Sequence, residues 1–406
     1  MFFLKLAVLN ITRNPKRSLI TITAITLGLS AIIFLWAFVD GYQDEQRENA
    51  IRTFSGHVQI QSKGFKLKPK PKMVLKNKEE IQKCIASFRK PVEVTDRAFF
   101  EALLGTTENT TGVYVYGIDP IREKKVMDTY KLVKKGKFLT SEDHRSIILG
   151  ASLAEKMGLE LGDKVVLMTQ SAEEMLSGFP YRLKGILDTG TDTDEFIVFI
   201  TLHSAQELLG IGEQFHTVVV RLPDRSSIPL FLKNFRDLPN AEAYEILTWD
   251  KLIPQIDQWA NWTGAIISII MIVVMAVIGI GVMNTILMSI LERTKELGVM
   301  MAIGTTPRQI VLMVFIETLT IVWCGMVLGI ILGYLLVAYF GHFGIHFQGF
   351  EAAARQAFMN PVVYPKLYFY RIVNSVVGLL IITSLVGFYP AWKASRLEPV
   401  KAIYHS

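Results

Sequence analysis

Cysteine is scarce in this sequence: its 406 residues include only two, Cys84 and Cys324. Cys324 lies within a long apolar run that predicts a membrane helix, whereas Cys84 lies far away in a more polar region. We therefore expect no disulfide between them. Histidine and cysteine do not cluster at the spacing of zinc ligands, and the pair His342 and His346 lacks a third ligand. The sequence thus indicates neither a disulfide framework nor a metal site.

Motifs for nucleotide binding and hydrolysis are also lacking. The sequence contains no GxxxxGK[ST] phosphate loop, no HExxH motif and no GxSxG nucleophile elbow. We therefore expect that this chain binds no cofactor, does not bind ATP through a phosphate loop and has no hydrolase activity. We attribute the net charge of +6 to basic segments beside a membrane rather than to nucleic-acid binding.

Long apolar runs are what the sequence does have. Hydrophobic residues make up 50% of the chain, and four segments are apolar over the ~20 residues that a membrane-spanning helix needs. The basic start and the first run also suggest a signal peptide. The run is longer than a signal sequence requires and shows no clear cleavage site, so we interpret it as a retained helix. The predicted spans are 18–40, 259–291, 307–340 and 369–391.

Lysine and arginine in the short flanks predict the orientation of these spans. Basic residues concentrate in an N-terminal amphipathic segment (1–17), in the connector 292–306 and in the tail 392–406. Such residues are enriched on the cytoplasmic side, so we expect both termini and the connector there. Segment 341–368 then forms a short periplasmic loop.

Segment 41–258, between the first two spans, is predicted to form a large domain outside the cytoplasm. Helical periodicity predicts helices at 152–157 and 204–209. The acidic stretch from Asp188 to Glu195 lacks the spacing of an EF-hand, and we interpret it as a hairpin turn. Alternating patterns predict strands at 57–60, 113–116, 164–168, 195–200 and 217–221. The fold class is a polytopic α-helical membrane protein with four transmembrane helices and a large α+β periplasmic domain between helices one and two.

The connector between the second and third spans has the pattern of a helix of its own. Its apolar residues recur at helical spacing against a polar face. Gly304 stands where a helix-ending glycine is expected, and Thr306-Pro307-Arg308-Gln309 matches a capping box that begins the third span. The pattern fits a helix resting on lipid headgroups and equally a docking element for a cytoplasmic partner.

The same connector resembles the coupling-helix signature of an ABC permease superfamily. The segment is Glu292-Arg-Thr-Lys-Glu-Leu-Gly-Val-Met-Met-Ala-Ile-Gly304, and the C-terminal Tyr389-Pro-Ala-Trp-Lys-Ala-Ser-Arg-Leu-Glu-Pro-Val-Lys-Ala-Ile403 resembles the family's ending. This superfamily contains the macrolide exporter, the cell-division permease and the lipoprotein-releasing permeases. Asp40-Gly-Tyr42, Ser55-Gly-His-Val-Gln-Ile60 and Leu183-Lys-Gly-Ile-Leu-Asp-Thr-Gly190 resemble the lipoprotein-releasing branch.

The resemblance implies a location in the bacterial inner membrane and a mechanism without a transmembrane substrate path. Two permeases, identical or paralogous, would pair with a cytoplasmic ATPase dimer that binds ATP and magnesium. Closure of the ATPases would push on the coupling helices, and an acylated lipoprotein would leave the membrane for a periplasmic carrier. The residues assigned to ATPase coupling are Glu292, Arg293, Glu296, Leu297, Met300, Ile303 and Gly304. The candidate lining of a cavity for lipid chains is Phe34, Phe38, Ile267, Ile270 and Met271, although ordinary packing explains each equally well.

The third span carries two further features. Glu317 is a carboxylate inside a membrane helix; it lies near the cytoplasmic end, where water or a basic residue can satisfy it, and we interpret it as structural. Gly325, Gly329 and Gly333 form a small-residue face that permits close approach of another helix, either of this chain or of a second permease.

Two other functions fit the superfamily. One is regulation of periplasmic cell-wall hydrolases, as by the cell-division permease, whose outside domain is typically much smaller than segment 41–258. The other is efflux of peptides or small molecules.

Overall fold

The computed structural model describes residues 15–236, 241–346, 362–394 and 396. It divides into two compact units. The second unit contains Glu45–Trp259, and the first unit contains the other described residues on both sides of it in the sequence. Most of the predicted segment 1–17, most of the tail 392–406 and the middle of the loop 341–368 lie outside the described residues.

The helices of the described residues fall into two groups by length and hydropathy. Four of them are long and apolar enough to cross a membrane, and the others are short. In chain order the helices of both groups are α1 (Pro15–Ala50), α2 (Lys78–Ser87), α3 (Pro120–Val126), α4 (Ala151–Lys156), α5 (Leu202–Leu209), α6 (Ile228–Arg236), α7 (Trp249–Leu252), α8 (Pro254–Glu292), α9 (Thr294–Ala302), α10 (Pro307–Phe343) and α11 (Phe369–Ala394). The four long helices are α1, α8, α10 and α11.

Helix α1 continues past the end of its predicted span at residue 40. It runs to Ala50, followed by a π-helical turn, Ile51–Ser55. Hydropathy marks how far a helix stays apolar, not where its backbone hydrogen bonds end, so a polar continuation of a helix falls outside the span that hydropathy predicts. Asp40, at the end of the predicted span, and Asp44, beyond it, are buried and form ion pairs with residues elsewhere in the chain.

The glycine face of α10 packs against α1 of the same chain. A Cβ on Gly325 would lie 2.7 Å from Cβ of Ile25, and a Cβ on Gly329 would lie 3.0 Å from Cβ of Leu29. A Cβ on Gly333 would lie 3.1 Å from the nearest atom of Ile33. The missing side chains therefore let the two helices approach closely over three turns, which accounts for the glycine spacing within one subunit.

The second unit is built on a mixed ten-stranded sheet. Its strands are β1 (Val58–Ser62), β2 (Glu93–Gly105), β3 (Thr110–Ile118), β4 (Val133–Gly136), β5 (Ser146–Gly150), β6 (Lys164–Gln170), β7 (Leu176–Leu187), β8 (Ile197–Thr201), β9 (Thr217–Arg221) and β10 (Tyr244–Thr248). The order is β10-β1-β9-β2-β3-β8-β5-β7-β4, and β6 bonds both β2 and β7. Strands β2, β3, β8, β5, β7 and β6 therefore form a closed ring. In the first unit, β11 (Ile345–His346) pairs with β12 (Val362–Val363).

Two principal cores stabilise this unit. One gathers the inward residues of the ring with α4 and α5, including Val115, Leu149 and Leu167. The other lies beside β1, β9 and α6 and includes Phe231 and Phe235. The alternation of buried and exposed residues in β6 is the pattern of a strand with one face on a core.

The hairpin prediction for the acidic stretch is wrong. Strand β7 and strand β8 both pair with β5, which separates them, so the stretch connects non-adjacent strands. It contains a 3-10 turn, Asp192–Glu195, and β8 begins only at Ile197. The Asp194 carboxylate accepts hydrogen bonds from the backbone N–H groups of Thr189 and Gly190, at 2.9 and 3.2 Å. These local bonds organise the turn.

Candidate functional site

The connector is a separate short helix with defined ends. Helix α8 ends at Glu292, Arg293 interrupts the helical backbone, and α9 follows. At the other end Gly304 has φ of +109°, its N–H donates to the Met301 carbonyl at 3.1 Å, and the Thr305 N–H donates to the Met300 carbonyl at 3.0 Å. This is a Schellman motif, and glycine suits the positive φ.

A capping box begins the next helix, as predicted. The Thr306 N–H donates to Gln309 Oε1 at 2.8 Å, the Thr306 side chain accepts from the backbone in return, and Pro307 is the first residue of α10. Consecutive stop and start signals leave few free dihedral angles between α9 and α10. The connector is therefore a stiff element.

Ion pairs join the connector region to the other helices of its unit. Arg293 Nη1 lies 3.3 Å from Glu317 Oε2 in α10, and Arg293 Nε lies 3.1 Å from Glu296 Oε2. Arg17 of α1 donates from Nη1 to Oε2 of Glu292 at 2.9 Å and from Nη2 to Oε1 of Glu292 at 2.5 Å. The pairs link both ends of the break at Arg293 to α1 and α10.

These ion pairs border a small cavity inside the bundle. Polar side chains from three helices line part of it, and Thr21 of α1 and Thr285 of α8 share a hydrogen bond of 2.9 Å nearby. Local polarity of this kind allows a carboxylate to persist in an otherwise apolar bundle. Its polar lining consists of Arg17, Ser18, Thr285, Ser289, Arg293, Glu317 and Thr318.

Helix α9 has one buried and one exposed face. Leu297 is 2% exposed and packs in the bundle core, and Met300 packs partly against that core. On the other side Val299 is 45% and Ile303 82% exposed, and Lys295 is exposed as well. The residues predicted for coupling therefore lie on both faces of the helix, with Leu297 and Met300 on the face that packs against the bundle core.

Lys295 and Val299, which are not among the residues assigned to ATPase coupling from the sequence, are also exposed on this helix. They lie four residues apart and share a helical face with Ile303, a spacing already visible in the sequence. We call Lys295, Val299 and Ile303 the outer face of the connector.

The five candidate cavity residues do not share one surface. Met271 is 4% exposed and packs in the bundle core, so its assignment to a lipid-accessible lining is wrong in this structure. Its neighbour Ile270 is 43% exposed, because successive residues of a helix point about 100° apart. The Phe34 ring lies 5.4 Å from that of Phe340. Phe38 and Ile267 are half-buried.

Two family models match the chain. Residues 268–399 match the FtsX-like permease C-terminal model, and residues 18–238 match the MacB-like periplasmic core domain model, which alone covers more than half of the chain. The chain belongs to this ABC transporter permease superfamily. The expected superfamily and the expected fold class are confirmed.

This permease is similar to proteins of both the MacB and LolC types. It is 22% identical over 410 residues to the macrolide export ATP-binding/permease protein MacB of Nitrobacter winogradskyi, a match that covers 96% of this chain and 58% of that protein. It is 23% identical over 416 residues to the lipoprotein-releasing system transmembrane protein LolC of Neisseria meningitidis serogroup B, covering 96% of this chain and 95% of that one. An uncharacterized ABC transporter permease of Methanocaldococcus jannaschii is 23% identical over 423 residues, at 97% and 95% coverage.

The fold and the family together establish the broad class. The chain is a multi-pass inner-membrane permease component of an ABC transporter of the MacB/FtsX/LolC type, with a large periplasmic domain after its first transmembrane helix. Permeases of this family work with an ATPase and with another permease.

Proposed function

We propose that this permease releases acylated lipoproteins from the inner membrane to a periplasmic carrier, powered by a separate ATPase. The observation that carries the proposal is the end-to-end match to the lipoprotein-releasing protein LolC, which includes 95% of that chain. The MacB relative is matched over 58% of its length.

In this proposal the connector receives the force of ATP hydrolysis. Its outer face offers two exposed apolar side chains and a lysine to a partner, and the fully buried core of a protein interface is typically more apolar than its rim. Both termini and the connector lie in the cytoplasm, as the basic flanks indicate. ATP and magnesium are bound by the ATPase dimer, not by this chain.

Force applied to the outer face would move α8 and α10 with the connector. The Schellman motif and the capping box stiffen the junction to α10, Leu297 is held in the core, and Arg293 is paired to Glu317. If the connector bent at its junctions under this force, several of these contacts would have to break at once. The periplasmic domain would follow the helices, and the lipoprotein would pass to the carrier without crossing the membrane.

Reconstitution tests this function directly. The permease, co-purified with its ATPase, is placed in liposomes with a fluorescent triacylated lipoprotein, and soluble lipoprotein–carrier complex is measured with and without ATP. We expect ATP-dependent release, and no release with a nonhydrolysable ATP analogue. ATP hydrolysis without release of the lipoprotein would overturn the proposal.

Export of small molecules is the second candidate. The MacB match also covers 96% of this chain, at nearly the same identity. A deletion strain distinguishes the two: mislocalised lipoproteins support release, whereas drug sensitivity with normal lipoprotein localisation supports export. Binding of a cell-wall amidase or its activator to the full chain, without transport, would instead indicate a cell-division-type regulator.

A further inference from the structure

A bidentate ion pair joins two helices that are distant in sequence. Arg371, near the start of α11, donates from Nε and Nη2 to the two carboxylate oxygens of Asp40 in α1, at 2.9 and 2.7 Å. The Asp40 side chain is only 6% exposed. Bidentate arginine–carboxylate pairs are strong and geometrically specific, so this pair fixes distance and orientation together.

Aromatic rings hold the guanidinium in place. The Arg371 guanidinium carbon lies 3.6 Å from the centroid of the Trp36 ring and 4.9 Å from that of Tyr370. Trp36 is one helical turn before Asp40 on the same helix. Helix α1 therefore presents both the ring and the carboxylate to one cation, and the cation–π contact adds to the ion pair.

The chain preceding α11 also lies directly against α1. The Lys366 N–H donates to the Ala37 carbonyl at 2.9 Å, and a Cβ on Gly41 would lie 2.2 Å from the Tyr364 carbonyl oxygen. Only glycine at position 41 permits this approach. The contact is therefore backbone against backbone, with little freedom to slide.

A second carboxylate repeats the arrangement one turn further along α1. Asp44 accepts from the Tyr368 hydroxyl at 2.6 Å and from Lys366 Nζ at 3.2 Å. Gln43, between the two carboxylates, donates to the Ala260 carbonyl of α8 at 3.1 Å. Two buried carboxylates four residues apart repel each other, so their retention on one helix requires these partners.

We infer that Asp40 and Arg371 form a mechanical joint through which α1 and α11 move as one body during the ATP-driven cycle. Trp36 and Gly41 position the joint, and Asp44 reinforces it. The connector region is tied to α1, α8 and α10, whereas the joint gathers α1, α8 and α11 at the other end of the bundle. Movement that begins at the connector and travels along α1 would reach α11 through this joint.

The inference rests on the proposed function for one readout, and a second readout is independent of it. The first is the number of lipoproteins released per ATP hydrolysed by the reconstituted complex. We expect Asp40→Asn and Arg371→Lys to lower this ratio roughly fivefold through the loss of charge-assisted bidentate bonds, while ATP hydrolysis persists. Asp44→Asn should lower it less, because Tyr368 can still donate to the amide oxygen.

The matched control is Glu48→Gln. Glu48 also lies on α1 and pairs with an arginine, Arg52, at 2.7 Å, but that pair lies four residues apart along one stretch of helical backbone. Its loss should leave the ratio unchanged. A structural role alone would lower ATP hydrolysis and release in equal proportion for Asp40→Asn, and that result would overturn the joint.

The second readout is a spin-label distance between Ala31 of α1 and Val373 of α11, both exposed. With the wild-type pair we expect one narrow distance distribution both without nucleotide and in the vanadate-trapped state. Asp40→Asn should broaden or shift the trapped distribution. A distribution that Asp40→Asn leaves unchanged would overturn the joint. A wild-type complex that releases no lipoprotein would overturn the proposed function, but the distance measurement would still test the joint.

Discussion

Arg293 of the connector and Glu317 of α10 lie 3.3 Å apart, Nη1 to Oε2, with 16% and 15% of their side chains exposed. Twenty-three residues separate them in the sequence, including the whole of α9 and its C-cap. The pair closes this segment into a loop that is fixed at both ends. Glu317, interpreted from sequence as a structural carboxylate, is thus placed where it ties the connector to the bundle.

Loss of this pair should weaken the bundle. Glu317→Gln removes one of the carboxylates that face the largely buried Arg293 guanidinium, while the pair with Glu296 remains, and a hydrogen bond to a charged group contributes about 1.5–3 kcal/mol. We expect a lower midpoint of thermal unfolding in detergent. The double variant Arg293→Gln/Glu317→Gln should lose less than the sum of the two single losses, as contacting residues do. Additive losses would show that the two side chains do not interact.

The outer face of the connector should govern partner binding without affecting folding. Ile303→Asp places a charge on a residue that is 82% exposed, so the thermal midpoint should stay near that of the wild type, whereas co-purification of the ATPase should fall sharply. Leu297→Ala is the opposite case: it removes a buried side chain and should cost about 2–5 kcal/mol. Retention of the ATPase by Ile303→Asp would place the binding surface elsewhere.

Helix contact should depend on the glycine face of α10. Gly325→Ala adds a Cβ at 2.7 Å from Cβ of Ile25 and should lower the thermal midpoint. Gly281→Ala in α8 is the matched control, because its new Cβ would meet no atom within 4 Å. Alanine there should be neutral or stabilising by up to about 1 kcal/mol, as expected from helix propensity. Equal effects of the two substitutions would contradict the close approach of α1 and α10.

Mild acid should destabilise the second unit through protonation of His216. Burial lowers the pKa of His216 below its ordinary value of 6.5. Its Nδ1 accepts from the Phe99 N–H at 3.1 Å, and its Nε2 lies 2.9 Å from the Pro71 carbonyl, to which it must donate. A second proton, on Nδ1, would point at the Phe99 N–H, which is itself a donor. The folded state therefore favours the neutral imidazole ring of His216.

The sign follows from the unfolded state, which binds the proton more readily. The stabilisation is complete above about pH 6.5 and is lost as the pH falls from there toward the lowered pKa of the folded state. We expect the full chain in detergent to show a lower thermal midpoint at about pH 5.5 than at about pH 7.5. His216→Asn should reduce this difference but not remove it, because burial also lowers the pKa of His57. An undiminished difference would exclude His216 as a contributor.

Local patterns predicted much of the fold. A run of apolar residues predicts a membrane helix whatever its neighbours are, so the four spans could be found without knowledge of their packing. The ends of the connector are equally local, because a Schellman glycine and a capping box use bonds between residues three to five apart. The order of the strands could not be predicted, since the ring closes through β6 with β2, across some 60 residues.

The sequence by itself therefore determined the number of spans, the caps of the connector and the superfamily, all of which depend on residues close together in the chain. Only the tertiary structure decided which face of α9 is buried, that Glu317 meets Arg293, and that Asp40 meets Arg371, 331 residues away. Such partners are selected by how whole helices pack, and a charged residue gives no local signal of which distant charge will neutralise it.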